Sequence, residues 1–151
     1  WCRDTKGVTL YEWLQDLYVK FGFYRESLVN VVRKGKDGAE QIQNMMVEFR
    51  ANPPKTILGS PVVQIYDYKT LELLDTVSGT KSPIPGIEDK SNVLQWVTAD
   101  GTKVSVRPSG TEPKIKFYFG VKATLPSVDQ FDEVQAALDA KFEAIKTELN
   151  L

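Results

Sequence analysis

Apolar positions recur at two different periods along this chain, and the switches between them mark out its elements. Over "TLYEWLQDLYVKF", residues 9–21, Leu10, Trp13, Leu14, Leu17, Tyr18 and Phe21 fall three or four apart, the spacing of one face of an α-helix. Thr9 offers an N-cap oxygen and Gly22 a stop. "SLVNVVRK", 27–34, is valine-rich and roughly alternating, which predicts a strand with one well-buried face. Asp37 followed three residues later by Glu40 predicts a capping box. The helix it opens has the stripe Ile42, Met45, Met46 and Phe49 and ends at Asn52-Pro53-Pro54. "SPVVQIYDY" (60–68) and "TLELLDTV" (70–77) predict a second strand and a short third, and 78–90 reads as a polar loop with two prolines and two glycines. "NVLQWVTA" (92–99) and "TKVSVR" (102–107) alternate on either side of Asp100-Gly101, a two-residue hairpin signal. "IKFYFGVKA" (115–123) predicts a further strand. From about Ser127 a last helix carries Phe131, Val134, Leu138, Phe142, Ile145 and Leu149 on one face.

The order is helix, then strand, helix, several strands and helix. An α+β fold buries these stripes most simply: a mostly antiparallel sheet with two helices on one face. The first helix stands outside that unit. Residues 1–25 are therefore expected to be the last helix of a preceding domain plus a linker ("GFYRE", 22–26, the connection), and 26–151 a domain of its own. The chain opens at Trp1 with no methionine before Met45, a start that reads as a piece of a longer protein.

Composition adds limits. The 151 residues are 42% hydrophobic and 26% charged, the make-up of a globular domain with a real core. Nineteen Lys and Arg stand against 20 Asp and Glu, so no global field attracts nucleic acid or an anionic membrane, and anion binding must be local. There is no histidine, hence no imidazole base and no His metal ligand. The single cysteine, Cys2, excludes an internal disulfide and suits a reducing cytoplasm. No apolar run approaches the roughly 20 residues of a membrane span. Asp67, Asp75, Glu88 and Asp89 lack metal-ligand spacing and are expected to face water. Tyr66, Tyr68, Trp96 and Tyr118 are suited to stacking on bases, but without a basic excess they are expected in the core or on a polar rim.

"RPSGTEPKIKFY", 107–118, carries the candidate chemistry. Alternation puts Val104 and Val106 on one face of their strand and Lys103, Ser105 and Arg107 on the other. Ile115, Phe117 and Phe119 likewise oppose Lys116 and Tyr118. With the apolar faces in the core, Arg107 and Lys116 point the same way and flank a loop in which Ser109, Gly110 and Thr111 each offer an N–H, two of them with hydroxyls. Such a turn forms an anion-binding nest, with Gly110 leaving the backbone accessible. An arginine fork with amide and hydroxyl donors matches phosphate. Glu112 would repel that ligand unless turned away or paired with Lys114. The competing reading is a plain turn, since Ser, Gly, Thr and Pro occur in any loop. A second "SGT", at 78–80, lacks a preceding arginine and reads as loop. Neither a Walker A loop nor a Rossmann fingerprint is present.

"RPSGTEPKIKFY" resembles the C-terminal signature of the α-D-phosphohexomutases, the phosphoglucomutase and phosphomannomutase family. Residues 92–123 resemble the bacterial form throughout, and "GVTLYEWLQDLYVKFGFYRE" is similar to that family's helix at the end of its third domain and the link to the fourth. The resemblance implies a TATA-binding-protein-like C-terminal fold and, on Arg107, Ser109, Gly110, Thr111 and Lys116, a grip on the substrate's non-reacting phosphate. It implies an isomerase that interconverts sugar 1-phosphates and 6-phosphates, glucose or mannose, through a bisphosphate, with magnesium on the second domain of the full-length enzyme. The family's phosphoserine loop, aspartate-rich metal loop and sugar-reading loop match nothing here. No catalytic residue, metal ligand or cofactor is therefore expected within these residues, and the piece alone is expected to be inactive. Its partners would be a phosphosugar and the other domains of the same chain, in the cytoplasm, with no nucleic acid or membrane. Alternatives are a phosphopentomutase or sugar-bisphosphate synthase within the family, and a free-standing anion- or nucleic-acid-binding module outside it.

Overall fold

The computed structural model describes residues 2–33, 35 and 37–151; Trp1, Lys36 and Lys34, the last residue of the predicted strand 27–34, lie outside the described residues. After a wide turn at Cys2–Lys6 come α1 (Leu10–Phe21), β1 (Phe23–Val32), α2 (Gly38–Ala51), β2 (Thr56–Ile57), β3 (Ser60–Asp67), β4 (Glu72–Asp75), β5 (Lys81–Pro83), β6 (Leu94–Thr98), β7 (Lys103–Pro108), β8 (Lys114–Ala123) and α3 (Phe131–Glu148). A 3₁₀ turn at Val128–Gln130 leads into α3.

The strands form one antiparallel sheet in the order β1-β8-β7-β6-β3-β4-β5, with β2 paired to β3. The α+β class expected from the sequence is thus the one found. Alternation decides which face is covered. Trp96, Val104, Val106, Ile115, Phe117, Phe119 and Val121 are buried on one side, where Ile42 and Met46 of α2 and Phe131, Leu138, Phe142 and Ile145 of α3 meet them in one core cluster. Phe49 of α2 closes edge-on against Trp96 and Phe117, with ring centroids 5.3 and 6.0 Å apart. The opposite face, with Gln95, Ser105, Lys116 and Tyr118, carries no helix among the described residues.

Several expectations change. "GFYRE" is not connecting chain: Phe23 to Glu26 are the first residues of β1, paired with Ala123 to Gly120 of β8, and Phe23 is buried in the core. The capping box belongs to α1, where the Thr9 side chain accepts from the Glu12 amide and Glu12 accepts from the Thr9 amide. Asp37 precedes α2 in helical backbone geometry and makes no side-chain cap bond. Part of the predicted loop 78–90 is the short strand β5. The Asp100-Gly101 hairpin has a three-residue loop, Gly101 donating to Thr98 O at 2.9 Å with φ +81° and Thr98 donating to Thr102 O, a type I turn closed by a left-handed glycine. The two-residue hairpin is at Leu58-Gly59, both with positive φ, between β2 and β3.

Candidate functional site

The site is built on the β7–β8 hairpin. Backbone pairing places Arg107 directly opposite Lys116, Ser105 opposite Tyr118 and Lys103 opposite Gly120, while Val104 and Val106 face Phe119 and Phe117 on the buried side. Because directly paired residues point to the same face, the two cations stand together on the helix-free face, at the root of the 109–113 loop. Arg107 is exposed, and among the described residues it forms no ion pair. Pro108, buried where the strand ends, fixes the direction in which the loop leaves.

The loop itself differs in one respect from the expectation. The Ser109 amide is consumed, donating to Lys114 O at 2.8 Å, and the Lys114 amide donates to Glu112 O at 2.7 Å. Two free amides remain of the three predicted, those of Gly110 and Thr111, which have no partner among the described residues. Gly110 does not occupy left-handed backbone, and a side chain added there would meet open space, so the approach above it is clear. Among the described residues no base is hydrogen-bonded to the Ser109 hydroxyl, so the geometry is that of a donor set and not of an activated nucleophile.

Glu112 is paired with Lys114. Hydrogen bonding to Lys114, and then the charges of Lys114 and Lys116, hold its carboxyl below the usual carboxylate range. The one repulsive group of the loop thereby carries its own counter-ion. Arg33 was not singled out in the sequence, yet its amide donates to Pro113 O at 3.0 Å and ties the end of β1 to the loop. The basic run at 33–36 was its only signal, and pairing of the first strand with the last could not be read from that.

The remaining candidates resolve into structural roles. Asp67, expected to face water, is half-buried and receives Arg50 through two bonds of 3.0 and 3.3 Å, while Arg50 also reaches Asn92 at 2.7 Å. Asp75 accepts from the amides of Val77 and Ser78 and shapes the β4–β5 turn that contains the other "SGT". Trp96 is in the core; Tyr66 and Tyr68 stack with centroids 6.3 Å apart. Among the described residues no cluster of three metal-ligating side chains occurs, and no helix is long and apolar enough to cross a membrane.

Residues 28–141 match the sequence profile of the phosphoglucomutase/phosphomannomutase C-terminal domain. The chain is 31% identical over 141 residues to a phosphoglucomutase of Staphylococcus saprophyticus, covering 92% of this chain and 24% of that protein. It is 36% identical over 134 residues to a phosphoglucomutase of Staphylococcus aureus, covering 89% and 23%. It thus spans about a quarter of the length of these relatives. Among solved structures, the open form of the Paramecium phosphoprotein pp63/parafusin, a phosphoglucomutase, aligns over 91% of this chain and 24% of its own at 17% identity and a TM-score of 0.46. With the profile covering most of its length, the chain belongs to the phosphoglucomutase/phosphomannomutase family, as that family's C-terminal domain.

Proposed function

We propose that this domain grips the non-reacting phosphate of a phosphosugar within a mutase that interconverts sugar 1-phosphates and 6-phosphates through a bisphosphate. The observation that carries the reading is the direct pairing of Arg107 with Lys116 at the root of a loop whose Gly110 and Thr111 amides are free. Two positive side chains, two amides and the hydroxyls of Ser109 and Thr111 together match the oxygens of one phosphate. Holding that phosphate spends binding energy on orienting the reacting end. The bond-making serine, the magnesium and the sugar-reading groups belong, in this reading, to other domains of the parent chain, and the piece alone has no mutase activity. The α1 helix and the turn before it would be the end of the preceding domain, with β1 from Phe23 already part of this one, and the enzyme would work in the cytoplasm. The sugar is glucose or mannose; the relatives' names favour glucose.

The test is Arg107→Ala in the full-length enzyme, assayed on glucose 1-phosphate. Loss of charge-assisted hydrogen bonds predicts a fall in kcat/KM of about tenfold to hundredfold, with circular dichroism and melting temperature unchanged because Arg107 is exposed. An unchanged kcat/KM overturns the phosphate role.

A further inference from the structure

The loop read as a phosphate cradle already contains an anion. Glu112 is ion-paired with Lys114, the first residue of β8, and Lys116 lies two residues further along the same strand, on the same face and opposite Arg107. Lys114 is only partly exposed, whereas Glu112 is exposed and lies in the turn between Gly110 and Pro113. The turn is otherwise fixed by backbone bonds from Ser109, Lys114 and Arg33, so the Glu112 side chain is not what holds it in shape.

We infer that Glu112 is a built-in competitor for the phosphate: in the empty site its carboxylate takes up Lys114, and the phosphate must displace it to gain that cation. This rests on the phosphate reading of the loop. The ion pair is solvent-exposed, and such pairs are weak enough to be exchanged for a doubly charged ligand held by Arg107 and two amides as well. Binding is then an exchange of one anion for another. The carboxylate weakens the site for any single anion and leaves a multidentate phosphate the better competitor. A small, singly charged anion such as chloride or acetate gains too few contacts to open the pair.

The measurement is an amide NMR titration of the 151-residue chain with inorganic phosphate, followed at Gly110 and Thr111, for wild type, Glu112→Gln and Arg107→Ala. Glu112→Gln keeps the size and the hydrogen-bonding capacity of the side chain while removing its charge. The expected result is binding about threefold to tenfold tighter in Glu112→Gln than in wild type, and loss of binding in Arg107→Ala. Acetate, titrated in parallel, should gain proportionally more from Glu112→Gln than phosphate does. If Glu112 instead serves to shape the loop, the same substitution weakens phosphate binding, which overturns the competitor role while Arg107-dependent binding leaves the grip intact. Equal affinity in wild type and Glu112→Gln overturns it in the same way. Absence of any phosphate response at Gly110 and Thr111 in both proteins overturns the inference together with the reading beneath it.

Discussion

Asp100, in the turn between β6 and β7, shows how one residue joins two layers. Its carboxylate accepts from the Thr98 hydroxyl at 2.5 Å and the Thr102 amide at 3.1 Å, and receives Lys141 of α3 at 2.5 Å. Partial burial alone would raise its pKa; the bonds from Lys141, Thr98 and Thr102 outweigh that and hold it well below the usual carboxylate value. A depressed folded-state pKa contributes stability that is present in full above the unfolded value of about 4 and is lost as pH falls through the lower, folded-state value. Asp100→Asn is expected to cost about 1 kcal/mol at neutral pH, after allowing for the exposure of the pair. It should also flatten the acid side of the stability profile, which urea denaturation between pH 2 and 7 measures. At this scale the sequence was legible where a residue acts through its own strand: Arg107 and Lys116 follow from alternation alone. It was silent on the Ser109 amide, because a backbone bond to Lys114 O depends on how the loop closes.

The longer elements formed where periodicity said they would; the differences lie at their ends and in the short strands β2 and β5. Thr9 and Asp37 head two similar sequence patterns, Thr-x-x-Glu and Asp-x-x-Glu, yet only Thr9 has the extended backbone that turns its side chain onto the first helical amides; Asp37 is already helical. Leu58 adopts φ +48° in the β2–β3 turn, a conformation no leucine announces, and it is held there by its amide bonding Glu148 of α3 at 2.7 Å. Gly38 has a related role at the start of α2. A side chain there would stand 2.1 Å from the Arg33 carbonyl oxygen, so only glycine lets the helix begin so close to the end of β1. Since the Arg33 amide holds Pro113, Gly38→Ala should disturb the loop as well as the fold. The expected loss is about 1–3 kcal/mol, read as a lower melting temperature, with chemical-shift changes extending from α2 to residues 109–113.

For the whole molecule, the first helix is the part whose packing the sequence did not show. Expected to stand outside the domain, α1 is docked on it by aromatic stacking: Tyr18 lies on Phe23 at 4.4 Å and on Phe131 at 6.3 Å, and Tyr11 meets Phe131 edge-on at 5.9 Å. Leu10 and Phe21 of the same helix, by contrast, are 70% and 62% exposed. Tyr18→Ala is therefore expected to destabilise the chain by about 2–4 kcal/mol. The double change of Leu10 and Phe21 to serine should stay within about 0.5 kcal/mol of wild type. Thermal unfolding of the two variants side by side measures the difference, and equal losses would contradict the docking described.

By itself the sequence determined most of the elements, the buried faces of β7 and β8 and the face on which Arg107 and Lys116 stand, because a period of 2 or 3.6 is a local property that chain geometry converts directly into sidedness. It also placed the candidate chemistry in the 107–116 hairpin, since the two strands of a hairpin are neighbours in sequence as well as in space. Only the tertiary structure decided that β1 lies against β8, that the Arg33 amide ties the end of β1 to Pro113, and that α1 stacks on Phe23 and Phe131. Those depend on pairings between distant segments, whose register is set by how a whole sheet buries one face.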